Sequence, residues 1–216
     1  MALQISGHDG DGFAEYLDRQ LRNFFPDGKE TLAGLRRHLP EALARLEACI
    51  GGVRIWEPGQ FSPLHTEQNT IFLYYLANTV WRRERDAGLS TKIYYLNKSL
   101  NAFNCYYEGE LPEVFFVGHS LGIVLSRARY AQYFAVYQNS TVGCNAGAGP
   151  EFEEGVVMFP NTFVLGKCRV RKGTVLSQGT SLVDEDTEPG RIVSRREGAL
   201  HFSEPRRDIL GAIFRI

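Results

Sequence analysis

From residue 155 to residue 183 the sequence repeats every six residues, and few folds tolerate that period. Val156, Thr162, Cys168, Thr174 and Thr180 form a column of small or β-branched residues. Two places further on, Met158, Val164, Val170, Leu176 and Leu182 form a second column that is apolar throughout. The column just ahead, Gly155, Asn161, Lys167, Gly173 and Gly179, is rich in residues that tolerate tight turns. Six residues make one flat side of a triangular coil: a short strand with alternate side chains pointing inward, then a corner that needs a permissive backbone. Stacked coils bury a narrow prism, so only small or unbranched residues fit the inner columns. Upstream the same period is looser, with Gly122, Ala128, Phe134 and Ser140 in one column and Val124, Tyr130, Val136 and Val142 two places on. Sixteen residues separate Ser140 from Val156, which is not a multiple of six. The phase therefore breaks, and the stretch GCNAGAGPEFEE, within 143–155, is expected to loop out of the coils. Protruding loops of solenoids often carry function.

The first half has a different period. Phe13, Leu17, Leu21 and Phe24 recur at helical spacing, as do Leu32, Leu35 and Leu39. Pro40 reads as a break, after which Leu43, Leu46 and Ile50 resume the stripe until Gly51-Gly52 stops it. Residues 52–63 read as a loop bounded by turn formers. Thr66 opens a further helix through Ile71, Leu73, Leu76 and Val80, and Ser90 is expected to cap another through Ile93, Leu96 and Leu100. The fold class expected is therefore mainly β with α: an α-helical N-terminal domain (1–108), a left-handed parallel β-helix of hexapeptide coils (109–190) and a C-terminal tail (191–216).

Composition narrows the function classes. The net charge of −1 gives no electrostatic reason to expect nucleic acid or an anionic membrane as partner. Four cysteines show no CxxC pairing, which argues against a structural zinc site or a disulfide framework. The N-terminus, MALQISGHDGDG, lacks a basic region followed by an apolar stretch, and the most apolar run, Ile71 to Val80, is too short and too polar to span a bilayer. These features point to a cytoplasmic protein. A nucleotidyl transferase is disfavoured because no Gly-rich phosphate loop follows a strand in the helical half.

Three segments in order carry a resemblance. His119-Ser120-Leu121-Gly122-Ile123-Val124, then Tyr137-Gln138-Asn139-Ser140-Thr141-Val142-Gly143, then Gly155 through Gly166 resemble the serine acetyltransferase family over roughly residues 100 to 193. The resemblance implies a β-helix acyltransferase that uses acetyl-CoA as cosubstrate without a metal, assembles as a homotrimer or a dimer of trimers, and acts on a small hydroxyl-bearing acceptor. It also implies that His119 is the base that takes the acceptor's hydroxyl proton. An imidazole titrates near the working pH and suits that task. The other histidines, at 8, 38, 65 and 201, have no matching context and read as surface or locally hydrogen-bonded residues. Metal-dependent hydratases of the same β-helix need three histidines around zinc, and only His119 and His201 lie from residue 111 onward.

The departures from the family's pattern bear on the acceptor. Where the family orients its histidine with an Asp, this chain has Asn104, whose carbonyl can accept a hydrogen bond but carries no charge. Glu110 or Glu108 is the alternative orienter. Gly118 replaces the acidic residue that precedes the histidine, and Ala148-Gly149-Pro150 replaces the loop's Arg-His-Pro. A site without those charged groups is not built to hold a free amino acid. A hydroxyl on a sugar, nucleotide-sugar or other metabolite is the replacement expected, with Tyr106, Tyr107, Phe115, Phe116 and Tyr137 available to stack on a ring. The alternatives are serine O-acetylation in cysteine biosynthesis, or a non-catalytic CoA-binding relative. By the resemblance, the donor lies against Gly143, Cys144, Pro160, Thr162 and Gln178, with Arg191 in a matching tail motif. Arg195 or Arg196 is expected to reach a CoA phosphate.

Overall fold

A computed structural model describes residues 3–145, 147 and 149–216. Four helices precede the coils: α1 (Gly10–Phe24), α2 (Leu32–Gly52), α3 (Thr66–Glu84) and α4 (Ala87–Asn101). The Asp9 side chain caps α1 by accepting from Gly12 N at 2.7 Å. α4 is capped by Asp86, which accepts from Leu89 N at 3.0 Å, rather than by Ser90, which is buried inside the helix. α2 also departs from expectation, because it runs through Pro40 as one helix. A proline inside a helix costs about 3 kcal/mol. Here Leu35, Leu39, Ala42, Leu46, Cys49 and Ile50 continue one buried stripe across it. Burying such side chains is worth roughly 1.5–3 kcal/mol each, so the stripe outweighs the break. α3 is the centre of the helical part, buried without interruption from Thr70 to Val80. The loop ahead of it contains a two-residue strand, Gln60–Phe61, that pairs in parallel with Gln4–Ile5.

The coils form a three-sided parallel solenoid. Its first side stacks 115–118, 134–137, 157–158, 175–176 and 192–196; its second stacks 103–105, 123–125, 141–143, 163–165 and 181–183; its third stacks 129–130, 151–152 and 169–170. The solenoid thus begins at Phe103, ahead of the expected boundary at 109, and its first side continues to Arg196 within the expected tail. Both columns read from the sequence are interior: Thr162, Thr174 and Thr180 are buried, as are Met158, Val164, Val170, Leu176 and Leu182. The threonine hydroxyls are satisfied between coils, with Thr162 Oγ1 3.0 Å from Ser140 Oγ and Thr180 Oγ1 donating to Val193 O at 3.1 Å. Gly155, Asn161, Gly173 and Gly179 all take positive φ, as a corner column must; in the Lys167 row that role passes to Gly166.

The phase break has a definite location. Strand partners lie 18 residues apart at Val157↔Val175, Phe163↔Ser181 and Glu151↔Arg169, but 22 apart one coil earlier, at Ala135↔Val157, Thr141↔Phe163 and Arg129↔Glu151. These three longer intervals overlap only between Gly143 and Glu151, so the four extra residues (22 − 18) fall there. Glu151–Phe152 is a solenoid strand, and the excursion is shorter than the 143–155 read from sequence.

The chain's end returns to the helices. After an antiparallel hairpin strand, Ala199–Ser203, and the short α5 (Ile209–Ile213), Phe214 bridges to Val53. The Arg215 guanidinium donates to the carbonyls of Ile50, Gly51, Val53, Arg54 and Trp56, closing the C-terminal end of α2. α3 is fastened to the first coil in turn. Tyr74 hydroxyl accepts from Leu111 N (2.8 Å) and donates to Gly109 O (2.9 Å), Tyr75 hydroxyl donates to Glu113 O (2.8 Å), and Asn78 Nδ2 donates to Tyr107 O (2.9 Å). Among the described residues no helix is long and apolar enough to cross a membrane.

Candidate active site

His119 follows the strand 115–118 at the corner between the first and second sides. Gly118 pairs with Tyr137 and Val124 with Thr141. Five residues therefore lie between these pairing positions in the first coil and three in the next, and His119 stands in the wider corner. Its backbone is left-handed (φ 49°) and its side chain is 70% exposed. The left-handed region costs an L-residue about 1–2 kcal/mol. Non-glycine residues held there cluster at functional sites.

The carboxylate facing His119 comes from the helical part. Glu67, in the first turn of α3, places Oε1 3.6 Å from His119 Nδ1 and Oε2 3.2 Å from His65 Nδ1, and Oε2 accepts the Thr66 hydroxyl at 2.8 Å. Burial pushes this carboxyl upward. The Thr66 hydroxyl, the residue's own N–H, the charge of His65 and the backbone N–H of His119 outweigh it and hold Glu67 below the ordinary carboxylate value. The positive end of the α3 dipole acts in the same direction.

The two expected orienters are engaged elsewhere. Asn104 Oδ1 accepts from the Tyr94 hydroxyl at 2.5 Å on the second side of the solenoid. Glu110 lies against α3, with Oε2 3.8 Å from Arg82 and Oε1 3.5 Å from Asn78 Nδ2. Glu108 is 3.9 Å from Arg127. His65, read from the sequence as a surface or locally hydrogen-bonded residue, is exposed and pairs locally with Glu67, which brings it beside His119. Sequence reasoning passed over Glu67 as one acid in a helix start, and its fifty-two-residue separation from His119 leaves no local signal.

An aromatic ladder walls one flank. Trp56 packs against His65 (5.9 Å between ring centres) and Phe116 (5.5 Å), Phe116 against Tyr137 (5.7 Å), and Tyr137 against Phe159 (5.4 Å). The expected aromatic set is therefore divided: Phe116 and Tyr137 border the site, Phe115 points into the core, and Tyr106 and Tyr107 pack with Tyr94. The Tyr137 ring also explains Gly118, where a Cβ would lie 2.5 Å from two ring carbons. Any side chain at this position, an acidic one included, requires the Tyr137 ring to move aside. Gly149 is fixed similarly, since a Cβ there would overlap the Arg127 carbonyl oxygen. Ala148 lies outside the described residues.

The expected donor positions separate into two edges. Asn161 N donates to Gln138 O (3.1 Å) and Gly179 N to Pro160 O (3.1 Å), so Gln138, Pro160 and Gln178 descend coil by coil along the corner that begins at His119. Phe159 and Ser177 flank a cavity of about 630 Å³ on the first side, which Arg196, Arg206 and Arg207 also line. Gly143 and Cys144 sit on the next edge, where the exposed Cys144 thiol donates to Arg127 O at 3.0 Å. Beside it lies a groove of about 610 Å³ bearing Arg127, Arg129, Lys167 and Arg169. Thr162 is fully buried with its hydroxyl bonded to Ser140, so its side chain is structural. Arg191 is paired with Glu188 and Glu204, and Arg195 with Glu185 and the Ser181 carbonyl.

In backbone course the chain is similar to serine acetyltransferases from Neisseria gonorrhoeae (TM-score 0.71, 15% identity, 95% of this chain and 83% of that one) and Vibrio cholerae (0.69, 17%, 93% and 83%), and to a serine acetyltransferase in complex with CoA (0.68, 15%, 91% and 85%). The chain has the serine acetyltransferase fold. Compared by sequence, it matches no protein-family model and no curated protein. The fold likeness covers the helices as well as the left-handed β-helix, so the layout expected from the sequence holds over almost the whole chain.

Proposed function

We propose that the chain is an acetyl-CoA-dependent O-acetyltransferase acting on a small hydroxyl-bearing acceptor, with His119 as general base. The observation that carries this reading is His119 itself: an exposed imidazole held in a left-handed corner, backed by a carboxylate, at the motif position that the resemblance assigns to the base. The imidazole takes the acceptor's hydroxyl proton as its oxygen attacks the thioester carbonyl carbon. The tetrahedral intermediate then expels CoA by breaking the C–S bond, and the imidazolium returns the proton to the thiolate. Such a base contributes about 10²–10⁴ in rate. The edge carrying Pro160 and Gln178, with the arginine-lined cavity beside it, supports a path for the anionic donor away from His119, and a CoA complex of a structural neighbour agrees with that donor. An exposed imidazole needs a covering wall for the reaction to exclude water, and a homotrimer would supply it from a neighbouring copy.

The acceptor we propose is a sugar, nucleotide-sugar or similar metabolite rather than free serine, because Gly118 against the Tyr137 ring and Gly149 against the Arg127 carbonyl lack the charged groups a small zwitterion needs. The test is thiol release from acetyl-CoA across a panel of hydroxyl compounds that includes serine. The reading predicts turnover with a non-amino-acid alcohol and a loss of about 10²–10⁴ in kcat for His119→Ala. Efficient turnover of millimolar serine overturns the acceptor assignment, and an unchanged rate in His119→Ala overturns the base.

A further inference from the structure

We propose that Glu67 is the positioning carboxylate of His119: Oε1 faces the Nδ1–H as its acceptor, which keeps that proton on Nδ1 and leaves the Nε2 lone pair free to accept the acceptor's hydroxyl proton. The inference rests on the reading of His119 as the base. Among the described residues Glu67 is the one carboxylate within ion-pair distance of the imidazole, at 3.6 Å, and the distance is to Nδ1 rather than Nε2. Of the residues that the sequence offered for this task, Asn104 is hydrogen-bonded to Tyr94, and Glu110 and Glu108 face Arg82 and Arg127 instead.

Glu67 is also placed to hold a direction. It begins a helix whose Tyr74, Tyr75 and Asn78 are hydrogen-bonded to residues 107–113 of the first coil, so the carboxylate cannot drift away from the corner without breaking the junction. The backbone N–H of His119 also helps to hold this carboxyl below its ordinary value, so the left-handed residue faces Glu67 with its main chain as well as its side chain. When Nε2 takes the acceptor proton, the imidazolium forms opposite a carboxylate that stays ionised. When the departing thiolate takes that proton back, the starting tautomer is restored. Glu67 gains and loses no proton in the cycle. A carboxylate bonded to one ring nitrogen selects the tautomer and orients the ring.

Glu67→Gln tests this, since the amide keeps the shape and a carbonyl acceptor but removes the charge. The expected result is a fall in kcat of about ten- to a hundredfold with the KM for either substrate nearly unchanged, and partial recovery in Glu67→Asp. Nitrogen-15 histidine NMR needs no turnover: His119 in the native chain should show the Nδ1-protonated tautomer, and Glu67→Ala should shift it toward the Nε2-protonated form. If Glu67→Gln fails to fold, Glu67→Asp in the NMR measurement decides the question, the Nδ1-protonated form being expected there. Native kcat in a folded Glu67→Gln, or a His119 tautomer indifferent to residue 67, overturns the proposal. The two readings fail separately: an inert His119→Ala with a fully active Glu67→Gln sinks only the role of Glu67, whereas a fully active His119→Ala sinks the base itself.

Discussion

Gly118→Ala adds one methyl group, and the structure states what it meets. The new Cβ would lie 2.5 Å from two carbons of the Tyr137 ring and 3.1 Å from the Phe116 ring, where ordinary contact is roughly 3.5–4 Å. Tyr137 must therefore retreat by about 1 Å, but Phe116 packs against it at 5.7 Å and Phe159 at 5.4 Å between ring centres. Overpacking of this kind costs about 1–3 kcal/mol. Gly118 does not use the left-handed region, so alanine brings no backbone strain and recovers about 0.4–1 kcal/mol from the unfolded chain. The steric cost is larger, and a net loss of about 0.5–2 kcal/mol follows. For a chain of this length each kcal/mol moves the melting midpoint by roughly 2–4 °C, so Gly118→Ala should melt about 1–8 °C early. The decisive comparison is a double-mutant cycle with Tyr137→Leu, read by thermal and urea unfolding. With the ring gone, Gly118→Ala should be neutral or stabilising, giving a coupling of about 1 kcal/mol or more. An additive cycle would refute the steric account of Gly118, and with it the physical reason given for the missing acidic residue beside His119.

Two further predictions concern the frame. Leu176→Ala, in the inner column of the solenoid where no exposed surface remains, should cost about 2–5 kcal/mol in urea unfolding; a loss under about 1 kcal/mol would mean the column is not packed as described. Thiol labelling at pH 8 should modify one cysteine quickly and three only in denaturant. Cys144 is exposed, whereas burial pushes the thiols of Cys49 and Cys105 up to about 11 and about 12 and also raises Cys168. A raised value means less thiolate at the labelling pH, so low access and low nucleophilicity act together. Rapid modification of Cys49 or Cys105 in the folded chain would contradict their placement.

The solenoid was legible because its physics is local. A six-residue side forces the same demand on positions six apart, so Thr162, Cys168 and Thr174, or Val164, Val170 and Leu176, report the interior without any knowledge of the fold. The corner glycines report it too, and where the pattern slipped, at Lys167, the left-handed residue had moved one place to Gly166. The helices were legible as stripes but not at their ends. Pro40 reads as a break until the buried stripe on both sides of it is known, and the cap of α4 fell to Asp86 because its carboxylate reaches Leu89 N while Ser90 is already inside.

The site was half legible for the same reason. His119 lies within one coil and its motif is contiguous, so the sequence could nominate it. Its partner could not be found that way, because a search along the coil reaches only residues that share the solenoid, and Asn104 and Glu110 were the best it held. The carboxylate arrives from a helix packed across the first coil, and its position depends on Tyr74, Tyr75 and Asn78 bonding a segment some thirty residues further along. The wider corner at His119 was equally hidden, since its two extra residues appear only once Gly118 is paired with Tyr137 and Val124 with Thr141. The corner needs the first two coils stacked, and the carboxylate needs α3 docked on the first of them. The β-helix can therefore supply an imidazole by itself, but the direction of that imidazole is set by the junction with α3, and separating the two parts should leave His119 present and unaimed.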